Sequence, residues 1–311
     1  FFIVYFYMLE SAFKEISKYL KFCNYGTENT SHKKNNSGDI IKDADIVCEN
    51  IIVNHIKKSS TNIVGYISEE TKTFVPLNRK YLKTKLYANP GDKEYIVSFD
   101  PLDGSSNMTS NINTGTIYAI YEYDSSNCTI LNIIKAGYCL YGPATIMVET
   151  HYDEVIMKQL DINNEFVFCK KIDMNNNISD TKIISINHGE YEPEINFLKN
   201  QYRSKKYKHR WTGTMVADAH RLLLNDGLFF YTSGTNSPDG KIRFLYEAIP
   251  MAFIFSKANG IGLNESFLDI LESINNYRID NVHKKTSIIL CSNNEFIKMT
   301  DMLDMFNTTK Y

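Results

Sequence analysis

Apolar residues recur along the chain with two periods, and the change from one to the other marks out its elements. Leu9, Ala12, Phe13, Ile16, Tyr19 and Leu20 repeat at helical spacing and predict a helix over about 8–22. Residues 24–38, NYGTENTSHKKNNSG, carry neither period and predict a loop. A second helical pattern runs over about 40–57, with Ile40, Ala44, Val47, Ile51 and Ile56 on one side. Strand-like runs follow at NIVGYI (62–67), EYIVSF (94–99), TIYAIYEY (116–123), TILNIIKAGYCLYG (129–142), ATIMVE (144–149), EFVFCK (165–170) and TKIISIN (181–187). Helical spacing returns over 191–203, 213–224 and 243–258, with Pro250 bending or ending the last of these. SIILCS (287–292) predicts a strand, and a final helix closes the chain.

Strands and helices mixed in this way, without strict alternation, predict an α/β (α+β) fold of layered sheets and helices rather than a barrel. The polar stretch KKIDMNNNISD predicts a boundary between two units, 8–175 and 176–311. The opening run FFIVYFYM stops at Glu10 and Lys14, well short of the roughly 20 apolar residues that span a bilayer. It also lacks the basic start and small-residue cleavage site of a signal peptide. A first residue of Phe rather than Met suggests a truncated or misassigned start.

Composition narrows the function. With 43% hydrophobic and 23% charged residues the chain reads as an ordinary globular protein. A formal charge of −2 and the lack of a basic block argue against a nucleic-acid partner. The six cysteines form no C-x-x-C pair and read as reduced, buried thiols of an intracellular protein. The seven histidines form no H-x-x-x-H pair, so neither a zinc site nor a histidine pair is favoured.

The acids are more informative. FDPLDGSSN (99–107) sets Asp100 and Asp103 around a proline at the end of an apolar strand, where a plain polar turn is the competing reading. Glu69 and Glu70 end another strand, Asp39 opens the second helix and Asp45 lies within it, and Glu247 sits in an apolar helix. Acids at strand ends face the cleft where α/β sheets hold ligands. Several carboxylates in one cleft repel unless cations neutralise them, and hard oxygen donors select Mg²⁺ or Mn²⁺. The carbonyl of Leu102 can point to the same place. The backbone N–H groups of Gly104, Ser105 and Ser106, opening a helical turn, can hold phosphate oxygens.

YISEE, FDPLDGSSN, WTGTMVADAHR and SPDGKIRFLYEAIPMAF resemble, in order and across about 38–293, the signature segments of the fructose-1,6-bisphosphatase family of Mg²⁺-dependent, lithium-sensitive sugar phosphatases. The resemblance implies alternating helix and mixed-sheet layers and hydrolysis of the 1-phosphate of a sugar bisphosphate. It implies metal ligands at Glu69, Glu70, Asp100, the Leu102 carbonyl, Asp103 and Glu247. Asp39 stands for the family's loop acid, and Asp45 for the acid that works with Glu70 on the attacking water. Substrate contacts fall on Asp103, Gly104, Ser105, Ser106, Asn187, Arg210, Met215, Tyr231 and Lys241, with Arg210 reaching across from a neighbouring subunit. A cytoplasmic homo-oligomer, a tetramer in the family, is implied as well. ADAHR and SPDGK disfavour a plain inositol phosphatase.

The chain departs from the family pattern in two places. Trp211 replaces a tyrosine near the distal phosphate, and Glu190 stands in NHGEY where tyrosine is expected, with Tyr191 next to it. These changes bring in sedoheptulose 1,7-bisphosphate as an alternative substrate, and a catalytically weak regulatory relative as a third reading. Glu94 and Glu122 take the two basic positions that hold the AMP phosphate in AMP-inhibited members, and the segment ahead of the first helix is unrecognisable. The resemblance therefore implies no AMP inhibition through that site. No cysteine pair forms a redox-switch loop.

Overall fold

The computed structural model describes residues 2–23, 30–34, 40–59, 62–77, 93–176, 182–187, 193–204, 207–235 and 237–308, with the side chains of 2–7, 30–34 and 40–42 excepted. Helix α1 (Phe2–Phe22) comes first, and β1 (Thr30–Lys34) then pairs antiparallel with β2 (Ile40–Lys42). The predicted loop therefore contains a strand. The second helix, α2 (Asp43–Lys58), starts three residues later than its apolar spacing suggested because 40–42 are extended. Asp39 lies outside the described residues.

A nine-stranded sheet follows: β3 (Ile63–Ser68), β4 (Val75–Pro76), β5 (Glu94–Asp103), β6 (Thr114–Asp124), β7 (Thr129–Tyr141), β8 (Thr145–His151), β9 (Glu154–Leu160) and β10 (Phe166–Ile172), with a short late strand added on β7. Its order is β10-β9-β8-β7-β6-β5-β3-β4, antiparallel except for the parallel β3–β5 pair. Strand β9 has no counterpart among the predicted runs. Its residues, EVIMKQL, alternate only weakly and sit half-exposed near the sheet edge.

The rest of the chain runs β11 (Ile183–Ile186), α3 (Pro193–Ser204), β12 (Lys208–His209), α4 (Met215–Asn225), β13 (Gly227–Tyr231), β14 (Ile242–Arg243), a π-turn (Phe244–Ala248), α5 (Ile249–Lys257), β15 (Gly260–Leu263), β16 (Tyr277–Arg278), β17 (Lys285–Thr286), β18 (Ile288–Ser292) and α6 (Asn293–Thr308). Strands β12-β11-β13-β18-β15 form a second mixed sheet, β16 is the late strand on β7, and β14 pairs with β17. Pro250 does not end the predicted 243–258 helix. It stands in the first turn of α5, has no N–H, and crowds the carbonyl of Tyr246 four residues back, which suits the wider coil ahead of it.

Period-two alternation assigns each strand to two cores. Tyr95, Val97, Phe99, Tyr118 and Ile120 face α1 and α2, where Phe13 and Tyr118 pack with ring centres 5.7 Å apart. Ile96, Ile117, Ala119 and Tyr121 face the opposite way, towards α4, α5 and the inner residues Phe229, Ile288 and Leu290 of the second sheet. Leu228, Phe230, Ile289 and Cys291 line the outer face of that sheet and pack on Leu198 and Tyr202 of α3 and on Met299 and Met302 of α6. The result is five layers, helix–sheet–helix–sheet–helix. All six cysteines are free, but not all are buried. Cys48, Cys139 and Cys291 are, whereas Cys128 in the β6–β7 turn and Cys169 on β10 are exposed. Among the described residues no helix is long and apolar enough to cross a membrane.

Candidate active site

In a regular strand, residues three apart point to opposite faces. Asp100 and Asp103 do not, because the β5–β6 register slips between them: Asp100 pairs with Ile117 and Asp103 with Gly115, so three steps on β5 meet two on β6. Pro101 offers no ladder donor, its carbonyl accepts the Thr116 hydroxyl (2.9 Å), and Leu102 N–H donates to Asp100 Oδ1 (2.9 Å). The irregularity rotates both carboxylates to one side. The strand then runs straight into a 3₁₀ turn. Gly104 adopts φ 76° and caps the 3₁₀ turn Ser105–Ser110. A Cβ on Gly104 would lie 2.5 Å from Cβ of Thr214, so glycine is required there.

Glu247 comes from the π-turn. Its carboxylate accepts the Arg243 N–H, and the Leu245 carbonyl accepts the hydroxyls of Ser98 (2.8 Å) and Tyr121 (2.6 Å), which docks the turn onto the large sheet. Single π-turns recur at functional sites, and here the extra residue aims an acid inward. The carboxylate oxygens of Asp100, Asp103 and Glu247 lie within 4.8 Å of one another, and all three residues are buried. Glu69 and Glu70 form the two central positions of a β-turn closed by Thr71 N–H to Ser68 O (3.2 Å). The Arg243 guanidinium stands 3.9 Å from Glu69.

The electrostatics follow from this crowding. Burial, then Glu69, Asp103 and Glu247, push Asp100 well above the usual carboxylate range. Burial also raises Asp103 to about 7, against the Val216 N–H that donates to its Oδ2 at 2.7 Å. From α2, Asp45 accepts the Ser105 hydroxyl (3.3 Å). One helical turn on, burial raises Glu49, which bonds Ser68 behind the glutamate turn.

The residues expected at the distal half of the site lie around the end of the other sheet. Asn187 directly follows β11 and donates to the Thr232 carbonyl (3.3 Å), and Arg210 N–H donates to Ile184 O (2.9 Å). Tyr231 ends β13 under Trp211, with ring centres 5.7 Å apart. Met215 is buried as the first residue of α4. Arg210 and Lys241 are exposed. Glu190 and Tyr191 fall outside the described residues. Asn107 and Asp218 hold the loop between the halves from both sides: Asn107 Nδ2 donates to Thr212 O (2.9 Å), and Thr212 N–H donates to the Asp218 carboxylate (3.0 Å). Sequence reading missed Arg243, Glu49, Asn107 and Asp218 as contributors. The available signal was a lone charge in an apolar run for Arg243, and for Glu49 its position four residues after Asp45.

Buried carboxylates at a sheet end, beside a glycine-led 3₁₀ turn and within stacked helix and sheet layers, are the arrangement of the layered α/β phosphatases that work with divalent metals. The N-terminal domain model of fructose-1-6-bisphosphatase matches residues 4–171, and the C-terminal domain model matches 178–304. Fructose-1,6-bisphosphatase 1 of Rattus norvegicus is 32% identical over 295 residues, 89% of this chain and 75% of that one. The class 1 enzyme of Neisseria meningitidis serogroup B is 33% identical over 281 residues, 84% of this chain and 80% of that one. The holo crystal structure of the Leishmania major fructose-1,6-bisphosphatase superposes with a TM-score of 0.82 at 26% identity, covering 97% of this chain and 94% of that one. The chain belongs to the fructose-1,6-bisphosphatase family and is a phosphoric monoester hydrolase of that family.

Proposed function

We propose that the chain hydrolyses the 1-phosphate of fructose 1,6-bisphosphate to fructose 6-phosphate and phosphate, as a step of gluconeogenesis. The observation that carries this reading is the convergence of Asp100, Asp103 and Glu247 within 4.8 Å beside the turn that begins at Gly104. The donor set is all hard oxygen, and a divalent cation offsets the burial and repulsion that raise Asp100 and Asp103, so the residues fit Mg²⁺ or Mn²⁺. Bound there, such a metal lowers the pKa of a coordinated water and neutralises charge on phosphoryl oxygens.

The ligands are Glu69, Glu70, Asp100, the Leu102 carbonyl, Asp103 and Glu247. Backbone N–H groups of Gly104, Ser105 and Ser106 hold the 1-phosphate. Asp45, Glu70 and Asp39 orient the attacking water and take its proton, in line with the bond that breaks. Asn187, Arg210, Tyr231 and Lys241 grip the distal phosphate, and Met215 and Asp103 border the sugar. On this reading the metal chemistry centres on residues 8–175 and sugar recognition on 176–311. The working form is a cytoplasmic homo-oligomer, a tetramer as the family resemblance implies, with Arg210, exposed on the monomer, serving a neighbouring subunit.

A second reading, sedoheptulose 1,7-bisphosphate, is favoured by Trp211, which is 41% exposed above Tyr231 at the distal end. Phosphate release with Mg²⁺ from the two sugars, with Asp103→Asn as control, tests both. Faster release from fructose, lost in the variant, supports the first reading, and faster release from sedoheptulose replaces it with the second. No release from either sugar refutes both. We also propose that AMP does not inhibit through the family's site, since Glu122 pairs with Lys93 (2.8 Å) and Glu94 with Ser125 where a phosphate needs free cations. Activity should stay flat in an AMP titration, and half-inhibition at low micromolar AMP would contradict this.

A further inference from the structure

Two of the segments that carry the site's acids, the turn Ser68–Thr71 and the π-turn Phe244–Ala248, lie far apart in sequence, and the stretch around His283 touches both. His283 Nε2 lies 2.7 Å from the Thr71 carbonyl, and its Nδ1 lies 2.9 Å from the Tyr246 hydroxyl. The carbonyl can only accept, so Nε2 carries the proton; Nδ1 then accepts, and the Tyr246 hydroxyl donates. The partners thus select one neutral tautomer and point it along a single chain, Tyr246 O–H to His283 to Thr71 O. At one end, Tyr246 is fully buried and immediately precedes Glu247. At the other, Thr71 closes the turn that carries Glu69 and Glu70, its hydroxyl also donating to Ser68 O at 3.1 Å. The imidazole meets the Tyr246 ring edge-on, 6.0 Å between centres. Neighbouring backbone reinforces the tie. Phe244 N–H donates to Lys284 O (2.8 Å), and β14 pairs with β17 through Ile242–Thr286 and Arg243–Lys285.

We propose that His283 is a positioning residue: by bonding Thr71 and Tyr246 at once it sets the distance between the Glu69–Glu70 turn and Glu247, and so tunes the affinity of the carboxylate centre for its divalent cation. The proposal rests on the metal-site reading above. It assigns His283 no contact with substrate or metal. Groups one step behind metal ligands are worth about 10–100-fold in metal affinity, because they hold the donors at the bonding distance.

The test is Mn²⁺ binding to the full chain, followed by the electron paramagnetic resonance signal of the free ion, with melting temperatures measured alongside. His283→Ala should weaken Mn²⁺ binding about tenfold. Its kcat should recover at saturating Mg²⁺, while the substrate KM stays unchanged. His283→Gln places an amide N–H where Nε2 was and should recover most of the affinity. Tyr246→Phe should weaken binding to a similar degree, and adding it to His283→Ala should cost nothing further. Unchanged Mn²⁺ affinity in His283→Ala would overturn the proposal, as would a fall in melting temperature that accounts for the whole loss and persists in His283→Gln. Asp103→Asn separates the two levels. If it binds Mn²⁺ as the wild type does, the metal-site reading fails and the tie fails with it. If it abolishes binding while His283→Ala does nothing, the tie alone is wrong.

Discussion

Single residues at this site trade stability for chemistry. Glu247 is held beside Asp100 and Asp103 in a buried space, where burial first and then the neighbouring negative charges, its own among them, raise Asp100. Without metal this arrangement costs free energy. Glu247→Gln keeps an oxygen to accept the Arg243 N–H and removes one charge. It should raise the melting point of the metal-free protein, by a gain of about 1 kcal/mol. It should also cut kcat about 10³-fold, the equivalent of several kcal/mol of lost charge stabilisation. Scanning calorimetry in chelator together with a phosphate-release assay checks both halves, and a metal-free variant no more stable than wild type would contradict the repulsion argument. Gly104 sits at the opposite extreme, where geometry leaves no freedom. Gly104→Ala places a Cβ at φ 76° and 2.5 Å from Thr214 Cβ. A loss of at least about 2 kcal/mol in urea unfolding is expected, with activity lost because the Ser105 and Ser106 N–H groups move together with the turn.

At the scale of elements, what joins α1 to the large sheet is partly ionic. Glu149 on β8 is fully buried and meets Lys135 of β7 at 2.5 Å and Lys158 of β9 at 2.9 Å, while the Tyr118 hydroxyl of β6 donates to it at 3.2 Å. Lys158 continues the network to Glu10 of α1. Burial depresses the Lys135 ammonium to about 8, so the Glu149 carboxylate is what keeps it charged at neutral pH. Glu149→Leu should therefore destabilise by about 3–5 kcal/mol, far more than lost contact area would explain. The double variant Lys135→Met/Glu149→Leu should regain most of that, since an apolar pair of similar size suits this site. Chemical denaturation of the two variants checks it, and equal losses in both would show that packing rather than charge sets the cost.

For the whole molecule, the contribution of His220 to the pH dependence of stability has a definite sign. His220 on α4 lies 2.7 Å from the Tyr138 hydroxyl of β7, and burial, with Lys170 and Arg221 nearby, lowers its pKa from 6.5 to about 4. The unfolded chain takes up that proton below pH 6.5, and the native protein refuses it until about 4. The contribution of His220 is thus complete above pH 6.5 and is lost as pH falls towards 4, by up to about 3 kcal/mol. Asp103, raised to about 7 in the metal-free protein, acts in the opposite sense over an overlapping range. The difference between wild type and His220→Gln isolates the histidine. Urea midpoints at about pH 7, 5.5 and 4.5 should show the wild-type advantage shrinking with acid, and a constant difference would refute the assignment.

Much of this protein was legible before folding. Helical and strand periods located the helices and nearly all the long strands, because a face buried on a layer must repeat apolar residues at the period of its own backbone. The segments around Glu69, Asp100, Asp103 and Glu247 pointed to metal-assisted phosphoryl chemistry, since so many acids in otherwise apolar runs have few other uses. Other features depended on contacts between distant segments, which no local pattern encodes. The weakly alternating β9 takes its place from its neighbours β8 and β10. Asp100 and Asp103 face the same way only because the β5–β6 register slips at Pro101. Glu247 points inward because Pro250 and the docked Leu245 carbonyl favour a π-turn where apolar spacing alone suggested an ordinary helix. Thr71, Tyr246 and His283 are unremarkable letters in three separate stretches. The tertiary structure alone placed one imidazole between two acid-bearing turns, with a donor on one side and an acceptor on the other.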